Sequence, residues 1–480
     1  MHHSLNIITR RLRLASILAG SIAVGTSLTA LGAPSVAIVS SDADSGEGSL
    51  RAALEAGARD IVIATAGPIM TGSPLVYSGE KALSLSGTGQ AIMATGDFDV
   101  FQVSNGANLT VIGVNFQGVG GFSIENQGTG KGIFVDLRDD QTGQARIVLK
   151  DVMVSGVANH GIHVSDCDLA DDCGGGSGGA GGGSAAAITV ELTNVVVDDA
   201  GNGKFDADGV RVDERDAGSI TFRADGSTFT DVGADGVELD EGQDGSVRAT
   251  ATNSTFSSNG TYCDPDLLEA FLPEPDERED IPEGEVTEED ITPTGTPDDS
   301  CFEVEFETHG DGSISEYEVG LDLDDGFDID EAGPGSLIAR VYTSQVMMND
   351  DEGLDFDEED AGKIDLVAMG VEASDNRDDG IKLSEEGDGH VSVYQLDVMA
   401  ENNGGKGFVY EEADGGNLDA IVENSATAGN DDGDVGIEAV QEDEGTGSLV
   451  LRNTTVGESE TGDDFPVPGV EAVGVEVTEE

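Results

Sequence analysis

The stretch Gly353–Asp379, GLDFDEEDAGKIDLVAMGVEASDNRDD, runs without a break into Gly380–Lys406, GIKLSEEGDGHVSVYQLDVMAENNGGK, and this pair decides the fold. Laid one above the other, the two 27-residue segments agree in chemical type at the positions that matter. Each opens on glycine, with apolar residues one and three places later (Leu354 and Phe356; Ile381 and Leu383). Each then carries glutamate at offset five (Glu358, Glu385), glycine at nine (Gly362, Gly389), an aliphatic residue at eleven (Ile364, Val391) and asparagine at twenty-three (Asn376, Asn403). Apolar residues at alternate positions mark a strand with one buried face.

The same columns extend to starts at Gly209, Gly236, Gly326 and Gly407, all 27 apart except for the 90 residues between Gly236 and Gly326. They bring Glu214, Glu241, Glu331 and Glu412, then Gly218, Gly245, Gly335 and Gly416, then Ile220, Val247, Leu337 and Leu418. Asn259, Asn349 and Asn430 complete the asparagine column, with Val232 the exception. Offset thirteen repeats the apolar pattern and a third patch lies near eighteen, so each coil supplies three short strands separated by turns. One coil cannot bury its apolar face alone, so coils must stack and like positions must line up. Val210, Val237, Phe327, Leu354, Ile381 and Phe408 are expected to form one interior column, and the asparagines to hydrogen-bond along the stack.

These columns resemble the pectin-lyase-like superfamily of right-handed parallel β-helices, which carry an asparagine column of this kind. A second resemblance lies in Ser41–Leu54, SDADSGEGSLRAAL, similar to the DSGxGSLRxAI opening of many bacterial secreted β-helix proteins. The resemblance implies an all-β, single-stranded right-handed parallel β-helix whose core is closed at its start by a short capping helix. Leu50, Ala53 and Leu54 fall on one face of such a helix. The superfamily holds lyases, hydrolases, adhesins and proteins without known chemistry, so the resemblance speaks to fold and not to activity.

Composition bounds the function. The chain has 97 Asp and Glu against 22 Lys and Arg, a net charge of -75, which argues against a nucleic-acid or anionic-membrane binder. Residues 1–33 read as an export signal: Arg10, Arg11 and Arg13 precede an apolar stretch from Leu14 to Leu31, and small residues follow. No other segment is apolar enough to span a membrane, and the expected location is periplasm, cell surface or medium. Cys167 with Cys173 and Cys263 with Cys301 are expected as two disulfides in an oxidising compartment. The cap and first coils are placed at 34–108, the solenoid at 109–459, and an acidic tail at 460–480. Insertions are expected at about 167–187 and 262–300, with the coil resuming at Cys301 through Phe302, Val304 and Phe306.

Carboxylate columns are the first candidate chemistry. Besides the glutamates at offset five, offset four carries Asp213, Asp240, Asp330, Asp357 and Glu411, and Asp208, Asp235, Asp325, Glu352 and Asp379 precede the start glycines. At a coil spacing of about 4.8 Å, like charges repel by about 1 kcal/mol per neighbour in water and more in low dielectric. Such columns call for counter-ions, and Ca²⁺ accepts six to eight oxygens, in round terms. The expected metal ligands are Glu214, Glu241, Glu331, Glu358, Glu385, Glu412, Asp208, Asp235, Asp325 and Asp379; the alternative is a solvated acidic face suited to a salty medium.

Polysaccharide cleavage, common on the outer strands of the resembled fold, is the second candidate. A lyase would need Ca²⁺ and a basic residue, and Asp378, Asp379 and Lys382 are the residues available. Asp355 lies under Lys382 in its column, which makes a salt bridge the simpler reading, and Arg211 with Glu238 repeats the arrangement. The ordered motifs of pectin hydrolases are absent. His160 and His163 are expected on opposite strand faces, and His309 and His390 beside turn glycines in solvent. The expectation is an exported, non-enzymatic envelope or matrix protein binding divalent cations, with a glycan or envelope component as a further candidate partner; the alternative is a carbohydrate-active enzyme, a polysaccharide lyase or glycoside hydrolase.

Overall fold

In the computed structural model, residues 36–169, 173, 180–442 and 445–480 are described; the expected export signal and much of the glycine-rich loop lie outside them. The repeat Gly353–Asp379 forms three strands, Leu354–Asp360, Ile364–Met369 and Glu372–Ser374. Each pairs in parallel with its counterpart in the next coil, Leu354 with Ile381, Ile364 with Val391 and Glu372 with Met399. Repeated along the chain, the first strands make a twelve-stranded parallel sheet from Leu75–Tyr77 to Val470–Val473, and the other two make a continuous 22-stranded network. The protein is a parallel β-helix.

The interior follows the alternation. Val210, Val237, Phe327, Leu354, Ile381 and Phe408 are fully buried and belong to one apolar cluster that runs from Val39 to Val470. Phe229, Phe256, Phe327 and Phe356 continue from coil to coil with ring centroids 5.1, 5.1 and 5.5 Å apart, geometries that add to plain area burial. The asparagine column is a hydrogen-bonded ladder: Nδ2 of Asn259, Asn349, Asn376 and Asn403 donates to the next asparagine's Oδ1 at 2.8–3.0 Å. Asn430 ends it on Glu458 Oε1 at 2.8 Å. Near the chain's start, helix Leu50–Glu55 is capped by Ser49, whose Oγ accepts from the Ala52 N–H, and it buries Leu50 and Leu54.

The excursion is longer than expected. The 90-residue gap is one 27-residue coil plus 63 residues, Cys263 to Asp325, and strand Glu238–Gln243 pairs directly with Phe327–Gly333. Val304–Thr308, expected to resume the coil, instead pairs antiparallel with Ile314–Val319, which holds Glu277–Arg278 on its other edge. Its Phe306 is 41% exposed, because this strand faces a small separate cluster and not the solenoid core. A disulfide joins Cys263 to Cys301, and a second joins Cys167 to Cys173. The segment 460–480, expected as a tail, adds a further coil: Val470–Val473 pairs with Ile437–Val440, and Val475–Glu479 with Gly447–Leu451. Among the described residues no helix is long and apolar enough to cross a membrane.

Candidate cation-binding cleft

The outer face of the twelve-stranded sheet is built by offsets two and four, which the same alternation turns away from the core. Offset two supplies Arg211, Glu238, Asp328, Asp355 and Lys382 in register; offset four supplies Asp213, Asp240, Asp330 and Asp357. Beside them runs the column that precedes the start glycines. Its carboxylates cap the next coil's backbone: Asp208 accepts from the Asp235 N–H (3.2 Å), Asp235 from Asp325, Asp325 from Glu352 (2.7 Å) and Asp379 from Lys406. Each carboxylate therefore has one backbone donor, enough to fix its position and too little to neutralise it.

The excursion folds back over this face. Glu303, Asp322, Leu323 and Asp324 from the excursion, with Phe205 and Asp206, close a cleft of about 740 Å³ over the sheet. Fourteen carboxylates and a single lysine line it. Around Glu352 two groups of ligand-capable oxygens converge, each within 4.8 Å: Asp325, Glu352 and Asp355, and Asp351, Glu352 and Asp378. Lys382 reaches Asp355 Oδ2 at 2.8 Å and Glu352 Oε1 at 3.2 Å. Asp355 is 8% exposed and its Oδ1 has no hydrogen-bond partner.

The electrostatics record the crowding. Burial first, and then neighbouring carboxylates, push Asp322 and Asp355 up to about 6, Asp330 to about 7 and Asp351 to about 10. Asp235, Glu238, Asp324, Asp325, Asp328 and Asp357 are held well above the ordinary carboxylate range for the same reasons. For Lys382, burial works to lower the ammonium pKa, but Asp355, Glu352 and Asp357 outweigh it and raise the value well above that of a free lysine. Arg211 at the edge meets Asp206 (3.3 Å) and Glu238, and Lys382 meets Asp355 and Glu352, so most of the fourteen acids are left crowded together without a basic partner.

Of the residues expected as ligands, Asp235 and Asp325 line this cleft, Asp208 lies under Arg211 (3.5 Å), and Asp379 is spent on the Lys406 N–H. The offset-five glutamates are elsewhere. Glu214, Glu241, Glu331, Glu358, Glu385 and Glu412 point into the coil, at most 1% exposed, because alternation from offsets one and three puts offset five inside too. The acidic cleft residues that sequence reasoning left unassigned are Asp206, Glu303, Asp322, Asp324, Asp328 and Asp351; Asp324 and Asp351 share with Asp378 the column two places before the start glycines, and Asp328 is at offset two, whereas Glu303 and Asp322 belong to the excursion.

The histidines also differ from expectation. The strand begins at Ile162, so His160 lies in the preceding turn and alternation does not separate it from His163; their rings are 4.5 Å apart. His163 Nε2 meets Asp213 Oδ2 at 2.7 Å, Lys131 Nζ meets His163 Nδ1 at 2.6 Å, and His160 Nδ1 accepts from the Asp208 N–H at 2.9 Å. Burial first, then the charges of His163 and Lys131, hold His160 well below the usual histidine value, so it is neutral. Arg211 ties this network to Asp213 (2.6 Å) and to Glu238. His309 contacts the Ile281 carbonyl oxygen through Nε2 at 2.7 Å, within the excursion.

No protein-family model and no curated protein matches the sequence. Among solved structures, the chain is similar to the Azotobacter vinelandii mannuronan C-5 epimerase AlgE6 A-module, at 9% identity and a TM-score of 0.44, over 92% of this chain and 98% of that one. It is similar to the periplasmic alginate epimerase AlgG at 12% identity and 0.37, over 87% and 76%. It is also similar to tailspike protein 2 of the Escherichia coli O157:H7 bacteriophage CAB120 at 9% and 0.43; 89% of this chain spans 43% of that longer protein. Likenesses at these identities and scores carry no argument about the chemistry of this chain.

Proposed function

We propose that this chain is an exported, non-enzymatic β-helix protein of the envelope or extracellular matrix that binds divalent cations, calcium foremost, in the acidic cleft. The observation that carries the reading is the buried, unpartnered Oδ1 of Asp355 in a cleft lined by fourteen carboxylates and one lysine. Two groups that share Glu352 supply Asp325, Asp355, Asp351 and Asp378 as the ligand set. All donors are oxygens, which favours hard cations over zinc or copper. A roomy cleft lined by many carboxylates suits the variable, oxygen-rich coordination of Ca²⁺ better than the strict octahedron of Mg²⁺. The two disulfides support an oxidising compartment.

An enzymatic reading finds less support in the same residues. Lys382 is held as an ammonium by Asp355 and Glu352, the wrong protonation state for a base that abstracts a proton. The Asp379 carboxylate is committed to the Lys406 backbone and Asp378 faces Glu352 across the cation group. The test is calorimetric titration with calcium, paired with melting curves in calcium and in sodium of equal ionic strength. Binding that is lost in Glu352→Gln and Asp355→Asn, with a calcium-specific rise in melting temperature, is the expected result. Equal shifts in calcium and sodium would mean that the cleft is only screened and the proposal is wrong.

A further inference from the structure

The interior column at offset five is independent of the cleft. Register pairs Glu214 with Glu241, then Glu331, Glu358, Glu385 and Glu412, and ends on Gln441. All six glutamates are at most 1% exposed. Both carboxyl oxygens of the first five, and Oε2 of Glu412, have no hydrogen-bond partner, and Glu412 Oε1 accepts from the Gly416 N–H. Glu331 lies within hydrogen-bonding reach of both Glu241 and Glu358, and Glu385 of both Glu358 and Glu412. Each carboxyl also packs against the offset-nine glycine of its own coil, where a Cβ at Gly218, Gly245, Gly335, Gly362, Gly389 or Gly416 would overlap Oε1. This explains why the glutamate and glycine columns recur together.

Six stacked anions about 4.8 Å apart, with one backbone donor among them at Glu412 and no cation paired to them, cannot be buried as charges; such groups neutralise instead. Two neighbours in the column show what it accepts. Gln441, the neutral isostere of a protonated glutamate, takes the next position beyond Glu412. Asp166, on the other side of Glu214, is given three donors, the Ser184 N–H and Oγ and the Arg215 N–H, at 2.8–2.9 Å. An acid in this column is either supplied with donors, as Asp166 is, or replaced by an amide, as at Gln441; among the six glutamates only Glu412 has a backbone donor, the Gly416 N–H.

We infer that Glu214, Glu241, Glu331, Glu358, Glu385 and Glu412 form a proton-binding ladder, in which neutral carboxylic acids hydrogen-bond from coil to coil. The ligand is the proton, and the ladder is the acidic counterpart of the asparagine ladder across the core. The charged groups around it are few: Asp166 near Glu214, Arg215 and Asp240 near Glu241, Asp360 near Glu358, and His390 and Asp414 near Glu412. Arg215 is already engaged by Asp240 Oδ2 at 2.6 Å. Burial raises all four first; neighbouring acids add to it at Glu385 (about 9), Glu214 (about 10) and Glu331 (about 11), while hydrogen bonds with Glu331 and Glu385 hold Glu358 to about 7. Raised folded-state values mean that the stabilisation is complete below the unfolded glutamate pKa and is lost as pH climbs through about 7 to 11.

The test uses the whole chain in EDTA at constant ionic strength, which removes cation binding; the cleft carboxylates titrate in wild type and variant alike, so the difference between the two proteins isolates the ladder. Infrared spectroscopy of the carboxyl C=O stretch is combined with melting curves from about pH 6 to about pH 9. The expected result is a protonated-carboxyl band in the folded protein at neutral pH that shrinks by two carboxyls in Glu331→Gln/Glu358→Gln. The melting temperature of the wild type should fall with rising pH more steeply than that of the variant. An unchanged band and an unchanged pH slope would overturn the ladder, as would stoichiometric calcium retained after EDTA and lost only in the double variant. Should the double variant not fold, Glu412→Gln, next to the existing Gln441, gives the same comparison for one carboxyl. Loss of calcium binding in the cleft would leave these outcomes untouched.

Discussion

Replacing Asn376 by leucine removes one rung of the asparagine ladder at nearly constant volume. In the intact coil Asn376 Oδ1 accepts from the backbone N–H and the Nδ2 of Asn349, at 3.3 and 2.9 Å. Its own Nδ2 donates to Asn403 Oδ1 at 2.9 Å, but that oxygen keeps the Asn376 N–H at 3.1 Å. The substitution therefore orphans two donors on Asn349, and all three asparagines are 2% exposed, so water cannot replace the lost partner. At about 1–3 kcal/mol for each buried group left unsatisfied, the cost is about 2–6 kcal/mol. Because a solenoid is stabilised by neighbour-to-neighbour interfaces, the loss should appear as local opening around this coil. Guanidinium unfolding combined with residue-resolved hydrogen exchange reads both effects, and the Asn349 amide should exchange about thirtyfold faster or more, the equivalent of about 2 kcal/mol. A variant within about 0.5 kcal/mol of wild type, with that amide still protected, would refute the claim that the ladder satisfies buried backbone.

Excising residues 263–325 joins Tyr262 to Gly326 and restores the 27-residue spacing, so circular dichroism should show an intact β-helix, while calcium affinity falls because the ligand Asp325 and the roof residues Glu303, Asp322 and Asp324 are gone. Loss of the β signal would show that the excursion is needed for folding. Lys382→Ala removes the resident cation from Asp355 and Glu352; the calcium-free protein should melt lower, and calorimetry should show calcium binding about tenfold tighter, for about 1.4 kcal/mol of repulsion removed. Weaker binding would place the cation elsewhere. Breaking Cys263–Cys301 by a paired Cys→Ala substitution should cost about 4 kcal/mol on the loop-closure estimate for 38 residues, read by denaturant midpoint. No change there would mean that the apolar cluster of Tyr262, Leu268 and Phe302 holds the excursion base unaided.

The core was legible because one rule, alternation in phase over 27 residues, governs Val237, Phe327, Leu354 and Ile381 alike. That rule also reached offset five, but a glutamate is read as outward by its charge, and only the packing shows six of them inside. Carboxyl protonation is what reconciles the count with the chemistry. Where the spacing drifts the ruler fails: Phe408 pairs with Ile437, 29 residues on, and Ile437 with Val470, 33 on, so the sequence left undecided whether 460–480 caps the helix or trails in solvent. The outward acids Asp328 and Asp355 were visible in the repeat, whereas the cleft was not. Its roof is Asp322 and Asp324, brought over the sheet by an excursion whose fold depends on an antiparallel sheet outside the repeat. His160 shows the limit of alternation, which holds within a strand and stops at its first residue.

The central claim, a divalent cation held by Asp325, Glu352 and Asp355 beneath the excursion, is tested most directly by anomalous diffraction from crystals soaked in calcium or in a lanthanide replacing it. The account predicts an anomalous peak within about 2.3–2.6 Å of carboxylate oxygens of Glu352 and Asp355, and its disappearance in Asp355→Asn crystals. A cleft without a peak at millimolar calcium, or peaks confined to exposed carboxylates outside it, would contradict the account.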